Sequence, residues 1–448
     1  MSLNQQQKDN ILANLPAAIA SQIEIVAQAI IDNDITWEEL QNTGNFSPPL
    51  QQNLQNAIDP IKERQLWQNC ESKDTIEAYR NYLSQYPNGI FKAKAERKIS
   101  DKQAEQQTLQ KTLQKSQLIA ALKEDINSYN TTILNKNGVS YDDLIQANIQ
   151  IPDSIRNIWN DAGPTLQLGT TPDSIPQGVT EIYFWGTPGS GKTCTLAAVL
   201  STAKKNGFFG SRPSNGLMYM IQLSNLFSDT VATLPPPTPV EKTQGLSFDL
   251  SDTNQTKHPV TLVEISGEIF QCLSDACMGQ PIPDDGHLSA YKSLLRFLRS
   301  TTNPKYHFFV IDVNNTQKDK YGLTQMDYLT NTAMYFNNNS IFNKSTAGIN
   351  ILVTKSDLLG QTQEERKNAS INILRNQYLS FVNTLKDIAN NHLHLIRNND
   401  FIPVIPFTLG KIYLQNKCVF DPTMSEVVIQ ILQENVARAP QRTGWLNR

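Results

Sequence analysis

Residues 181–200 read EIYFWGTPGSGKTCTLAAVL. A strand-like run, Tyr183-Phe184-Trp185, meets a glycine turn, and an Ala/Leu-rich helical segment follows. The turn has the pattern G-x-x-x-x-G-K-T on Gly186, Gly191, Lys192 and Thr193. A polyphosphate needs donors that converge on it without side-chain crowding. Gly186, Gly189 and Gly191 let backbone amides turn inward, and the following helix aims its positive end at the same point. Lys192 is then placed to neutralise the β and γ phosphates, and the Thr193 hydroxyl to ligate Mg²⁺. Thr187, Pro188 and Ser190 within the turn, and Cys194 after it, complete the expected lining. A strand before and a helix after supply the context that this motif demands, so the turn reads as a nucleotide site.

Downstream, short apolar runs alternate with helical ones: EIYFW, GLMYMIQL, VTLVEI, HFFVIDV, INILVTK and FIPVIPF. That alternation predicts an α/β fold over 180–448 with a doubly wound, mostly parallel sheet, and the glycine turn at its first strand makes the expected fold a P-loop NTPase. After the INILVTK run, Thr354, Lys355, Ser356 and Asp357 spell T-K-x-D. Here the chain resembles the small GTPases of the Ras, Rho and Arf kind, whose base-reading motif is N/T-K-x-D. A carboxylate at that place accepts two hydrogen bonds from guanine, where adenine offers a lone pair. Charged hydrogen bonds are worth roughly 1.5–3 kcal/mol each, enough for about a hundredfold discrimination. The resemblance implies GTP/GDP as ligand, with Lys355 along the base and bracing the turn.

The family's D-x-x-G landmark is matched here by Glu264-Ile265-Ser266-Gly267. The resemblance makes Glu264 a magnesium carboxylate and Gly267 the γ-phosphate sensor, and puts Glu268 where the family holds a water-orienting Gln. With Lys192, Gly267 and Glu268 are the catalytic candidates. A second carboxylate beside a γ phosphate is unwelcome, since like charges repel. GTP binding therefore carries over better than hydrolysis. In the long connection VATLPPPTPVEKTQGLSFDL, Thr243 is the first candidate for the switch threonine on Mg²⁺ and Thr238 the reserve. Asp312, ending HFFVID, is implied to be structural. PVIPFTLGK stands in the place of the S-A-K loop, with Phe407, Thr408 and Leu409 backing the base through main-chain amides. The resemblance covers about residues 178–436, and the long switch resembles a bacterial double-GTPase type serving in conflict or signalling systems.

Three readings follow. The first is a slow GTPase acting as a molecular switch, with a partner supplying an arginine. The second is an ATPase using Asp312 as the magnesium carboxylate, with T-K-x-D an accident. The third is a GTP-bound scaffold with negligible turnover, motivated by Glu264 and Glu268.

Residues 1–160 differ in kind, being rich in Gln, Asn, Ala, Leu and Ile with few glycines, which predicts an all-helical region. TIEAYRNYLSQYPNG puts Tyr79, Tyr82, Leu83 and Tyr86 on one helical face and stops at Pro87 and Gly89. The hairpin around it is similar to tetratricopeptide-like hairpins, with IFKAKAERKI as its second helix and a separate longer helix after that. Capping boxes at Thr36/Glu39 and Ser140/Asp143, each followed by an aromatic, a leucine and a proline-led helix, predict a helical unit used twice. Such surfaces point to a protein partner. Residues 161–179 read as a linker. A net charge of −3 gives no electrostatic case for nucleic acid. The five cysteines, Cys70, Cys194, Cys272, Cys277 and Cys418, lack paired spacing, and no long apolar run or leader pattern occurs. A cytoplasmic protein without a transmembrane segment is the expectation.

Overall fold

The computed structural model describes residues 3–14, 20–44, 46–172, 174–238, 243–393, 395 and 402–438. Both ends of the chain and residues 239–242 of the long connection lie outside this set. Chain contacts divide it into two units between Gln117 and Leu118.

The first unit is helical: α1 (Gln5–Asn14), α2 (Ala20–Ile31), α3 (Trp37–Asn42), α4 (Pro48–Lys73), α5 (Ile76–Gln85) and most of α6 (Lys92–Glu124). Two small cores hold it. One gathers Val26, Ala27, Leu40, Leu54 and Ile58, and the other Trp67, Cys70, Tyr79, Tyr82 and Ala95. Tyr79 and Tyr82 are buried as the helical face predicts, and Phe91 stacks on Trp67 at 4.9 Å between ring centres. The two helices expected after Gly89 are one continuous α6, because nothing in that run breaks a helix.

The second unit starts at Leu118, whereas the sequence reading sets a boundary near residue 160. Residues 118–160 form α7 (Thr131–Lys136), α8 (Tyr141–Gln146) and α9 (Ser154–Asn157). Their core of Leu122, Leu134, Tyr141, Leu144 and Trp159 includes Tyr413 and Leu414 from the sheet-bearing part of the chain. Asn416 Nδ2 also donates to Thr131 Oγ1 at 3.1 Å. The 161–179 segment is likewise tied down: Gly169 N donates to Gln244 Oε1 at 2.9 Å, and Asn303 Nδ2 to Pro176 O at 2.7 Å. The paired capping boxes form, with Thr36 N on Glu39 Oε2 and Ser140 N on Asp143 Oδ2, each at 2.7 Å. The likeness stops there, since α4 is 26 residues and α9 only 4.

A seven-stranded sheet organises the rest, in the order β2-β4-β5-β1-β6-β7-β8. Its strands are β1 (Thr180–Trp185), β2 (Phe209–Ser211), β4 (Gln244–Ser251), β5 (Lys257–Glu264), β6 (Lys305–Asp312), β7 (Thr346–Thr354) and β8 (Val404–Pro406). β3 (Val231–Thr233), β10 (Lys417–Phe420) and β9 (Gly410–Tyr413) make a small antiparallel sheet. β5, β1, β6, β7 and β8 run parallel; at one edge β4 pairs antiparallel with β5, and β2 antiparallel with β4. Alternation along the strands feeds two cores, one on each face. Tyr183, Trp185, Phe309, Ile311 and Val353 meet α12 (Gly267–Cys277), α13 (Asp285–Ser300), α14 (Gln325–Asn338), α15 (Gln363–Gln377) and α16 (Leu379–Asp387). Ile182, Phe184, Leu262, Phe308 and Leu352 meet α10 (Lys192–Lys205), α11 (Leu217–Asn225) and α17 (Thr423–Arg438). The fold is mixed α/β with a mostly parallel central sheet behind a helical N-terminal region.

GLMYMIQL, expected as a strand, is α11. Its Tyr219, Met220 and Leu223 fall on one helical face in the core, and unbranched Leu and Met favour helix. The aromatic β1 is anchored by polar handles: Trp185 Nε1 donates to His307 Nδ1 at 2.9 Å, and burial holds His307 neutral, down to about 3. At the strand's other end Glu181 and Lys305 form a fully buried ion pair at 3.5 Å, with Asn303 Nδ2 also donating to Glu181 at 2.8 Å. Among the described residues no helix is long and apolar enough to cross a membrane.

Candidate functional site at the glycine turn

β1 ends at Trp185 and α10 begins at Lys192, so residues 186–191 must reverse the chain within six positions. Gly189 and Gly191 do so with φ of +73° and +89°. α10 is capped by Gly191 without any side-chain bond, which leaves its first-turn amides facing the turn. A cavity of about 240 Å³ opens there, lined by the turn and the head of α10, by Pro235–Thr238 and by Ser266–Glu268.

Lys192 is buried, and its ammonium donates to Gly186 O at 2.7 Å and Thr187 O at 2.9 Å. Burial draws its titration down to about 7, against the opposing pull of Glu264. A lysine so held inside the turn is one that an anion would restore to full charge. Burial also pushes the Cys194 thiol up to about 12, leaving it a neutral wall of the cavity.

The Thr193 hydroxyl donates to Glu264 Oε1 at 2.6 Å, and the Thr238 hydroxyl reaches the same oxygen at 3.0 Å. The two hydroxyls lie 2.6 Å apart. The other oxygen, Glu264 Oε2, is buried and has no hydrogen-bond partner among the described residues. The Tyr219 hydroxyl beside this carboxylate is held well above the ordinary tyrosine range, chiefly by burial. Thr238 therefore takes the place expected of Thr243. Thr243 is buried at the head of β4 and does not line the cavity. The reason is local: Pro235, Pro236 and Pro237 stiffen the segment and carry Thr238 over the turn. Among the described residues no three His, Cys, Asp or Glu side chains cluster as a metal cage. Two hydroxyls and one orphaned carboxylate oxygen do fit a hard cation that completes its shell with phosphate and water.

Gly267 packs against the turn so closely that a Cβ there would lie 2.3 Å from Pro188 N and 2.5 Å from Pro188 Cα. Glu268 follows on α12 and lines the cavity, and its Oε2 is 3.4 Å from His287 Nε2. Nothing in the sequence marks His287, which sits on the next helix at no motif spacing.

The T-K-x-D segment abuts the turn. Thr354 Oγ1 donates to Ser190 O at 2.8 Å, with Ile311 O also within reach of the same hydroxyl at 3.1 Å. The brace expected of Lys355 is thus provided by Thr354. Lys355 instead pairs with Asp312 Oδ2 at 2.6 Å. Asp312, the magnesium carboxylate of the ATPase reading, is thus paired with Lys355, while the carboxylate on Thr193 is Glu264. Asp357 is half-buried, and Thr408 Oγ1 donates to its Oδ1 at 2.8 Å. The Phe407 amide, just past β8, is committed to Val353 O of β7 at 2.7 Å. A base-facing amide would therefore come from Thr408 or Leu409.

No protein-family model matches the chain, and no curated protein does. Among solved structures it is similar to a crystal structure assigned to nucleolar GTP-binding protein 1 of Plasmodium falciparum, at 12% identity over 58% of this chain and 89% of that one, with a TM-score of 0.24. A likeness that faint carries no weight for fold or function and says nothing of a bacterial or double-GTPase kind. What the site can do is carried by its own residues.

Proposed function

We propose that the sheet-bearing unit binds GTP and GDP with Mg²⁺, hydrolyses GTP slowly, and works as a switch whose state is passed to a protein partner through the N-terminal helices. One observation carries the nucleotide reading: the glycine turn, the Thr193–Glu264–Thr238 cluster and the T-K-x-D segment, far apart in sequence, meet at one end of the parallel strands.

In this reading the amides of Gly189–Thr193 and the Lys192 ammonium hold the phosphates. Thr193, Thr238 and Glu264 would hold Mg²⁺, which supplies charge neutralisation on the phosphate oxygens when bound. Asp357 reads guanine, kept in place by Thr408. Gly267 senses the γ phosphate through its close packing on Pro188. Glu268 lies where a water is to be oriented, and its charge is the reason that turnover is expected to be slow. The switch part of the proposal rests on Pro235–Thr238 and Ser266–Glu268, two segments that close the same cavity from separate elements.

The test is a titration of the full chain with fluorescent GDP, GTP and ATP analogues, with and without Mg²⁺. Binding of guanine nucleotides, lost in Lys192→Ala, is the expected result. Equal affinity for ATP, or binding unaffected by Lys192→Ala, would overturn it. Phosphate release under single-turnover conditions then separates a slow GTPase from a GTP-bound scaffold.

A further inference from the structure

Glu268 raises a difficulty that the nucleotide reading leaves open, since it sets a carboxylate on the wall of a cavity meant for a γ phosphate. The geometry around it supplies an answer. Asp284 caps α13 by accepting from His287 N at 2.9 Å, and its other oxygen meets His287 Nδ1 at 2.8 Å. With Nδ1 engaged in this way, the ring turns Nε2 towards Glu268 Oε2, 3.4 Å away. The result is a line of three groups, Asp284–His287–Glu268, that runs from the cap of one helix to the first turn of another and ends at the cavity.

We propose that His287 is a positioning residue for the triphosphate: as an imidazolium anchored by Asp284, it draws the Glu268 carboxylate aside and offsets its charge, so that the cavity accepts a γ phosphate. The inference rests on the nucleotide reading and deepens it, by naming a further residue, beside Gly267, through which this site discriminates GTP from GDP.

The physics is that of three charges. Two anionic groups brought together in a partly enclosed site repel, and a cation between or beside them reverses the sign. The charged groups facing His287 are Asp284 on its own element and Glu268 on α12, and both favour the imidazolium. The hydrogen bond His287 donates to Asp284 is the foremost cause that raises its titration above the ordinary histidine value. The Cys272 thiol on α12, near both carboxylates, is itself pushed up to about 11 by burial and adds no charge at neutral pH. GDP has no γ phosphate to meet Glu268, so it should be indifferent to the state of His287. A purely architectural role for the histidine would move both nucleotides together.

The experiment measures GTP and GDP affinities, with Mg²⁺, for the unaltered full chain, His287→Ala, Glu268→Gln and the double variant. The expected result is a loss of roughly tenfold or more in the GTP-to-GDP affinity ratio for His287→Ala, with GDP affinity held, and recovery of the ratio in the double variant. In the unaltered chain the ratio should fall as pH rises through the His287 titration, and His287→Ala should lack that component; the nucleotide's own titration is common to both proteins and cancels. Equal losses of GTP and GDP, an unmoved ratio, or a double variant no better than His287→Ala would overturn the inference while leaving the nucleotide site standing. An unaltered chain that binds neither nucleotide would overturn the site reading and this one with it.

Discussion

Replacing Gly267 by alanine tests the contact on which γ-phosphate sensing depends. The added Cβ would sit 2.3 Å from Pro188 N, 2.5 Å from Pro188 Cα and 2.7 Å from Thr187 C. All three are backbone atoms of the glycine turn, so no side chain can rotate away to make room. Relief requires the turn and the head of α12 to separate by roughly 0.7 Å or more, against a packed interior that resists such shifts. The fold itself should survive, because alanine is well suited to the first turn of a helix. The amide at position 267 would be carried away from the place where a γ phosphate is received. Losing one charged hydrogen bond costs about 1.5–3 kcal/mol, which is roughly a tenfold to hundredfold loss of GTP affinity. GDP affinity should stay within about twofold on the same reasoning, since no γ phosphate is present. Titration with fluorescent GTP and GDP analogues in Mg²⁺, beside a thermal melt, reads all of this. A variant that melts like the parent and keeps its GTP-to-GDP ratio would refute the reasoning.

Other outcomes follow from particular bonds. Thr354→Val removes the hydroxyl that ties Ser190 O of the turn to the end of β7; GTP and GDP should weaken together by about 1–3 kcal/mol, read by the same titration. Lys305→Ala strands the buried Glu181 charge and should cost roughly 3–5 kcal/mol in denaturant unfolding, with guanine-over-adenine preference unchanged in the folded fraction. Asp252 pairs with the His258 ring at 3.0 Å, and that bond is the foremost cause holding its carboxyl below the ordinary value of 3.8. A carboxyl lowered on folding stabilises above its unfolded value and loses that contribution as pH falls through the folded one. Asp252→Asn should therefore flatten the dependence of melting temperature on pH below about 4, with little slope added at neutral pH.

Much of the sheet is legible in the sequence because its strands are buried on both faces. EIYFW, VTLVEI, HFFVIDV and INILVTK are near-continuous apolar runs, and each is a parallel strand flanked by two cores. α11 escapes for the complementary reason: a short apolar run has no period of its own, and helix Leu217–Asn225 is decided by what it packs on. The domain boundary escapes because helical composition looks alike on either side of Leu118; only the packing of Trp159 and Leu144 with Leu414 assigns residues 118–160 to the second unit. At the site, local motifs are readable and long-range partners are not. Gly191, Lys192 and Thr193 form the turn and helix head that their motif describes. Thr238 ranks behind Thr243 on sequence alone because spacing along a proline-rich loop does not say which hydroxyl swings over the turn. The exchange of roles between Thr354 and Lys355, and the approach of His287 to Glu268, depend on side-chain reach across elements, which a linear pattern does not encode.

The most direct test of the central claim, that Asp357 reads the base of a nucleotide held by the glycine turn, is to reverse its chemistry. Asp357→Asn trades an acceptor for an amide that can also donate. Xanthine carries a carbonyl where guanine carries its exocyclic amine, so the donor and acceptor pattern matches again with the base changed. Competition between GTP, XTP and ATP for a fluorescent guanine nucleotide should show the unaltered chain preferring GTP and Asp357→Asn preferring XTP. An Asp357→Asn chain that keeps its preference for GTP, or an unaltered chain that never distinguishes GTP from ATP, would contradict the account.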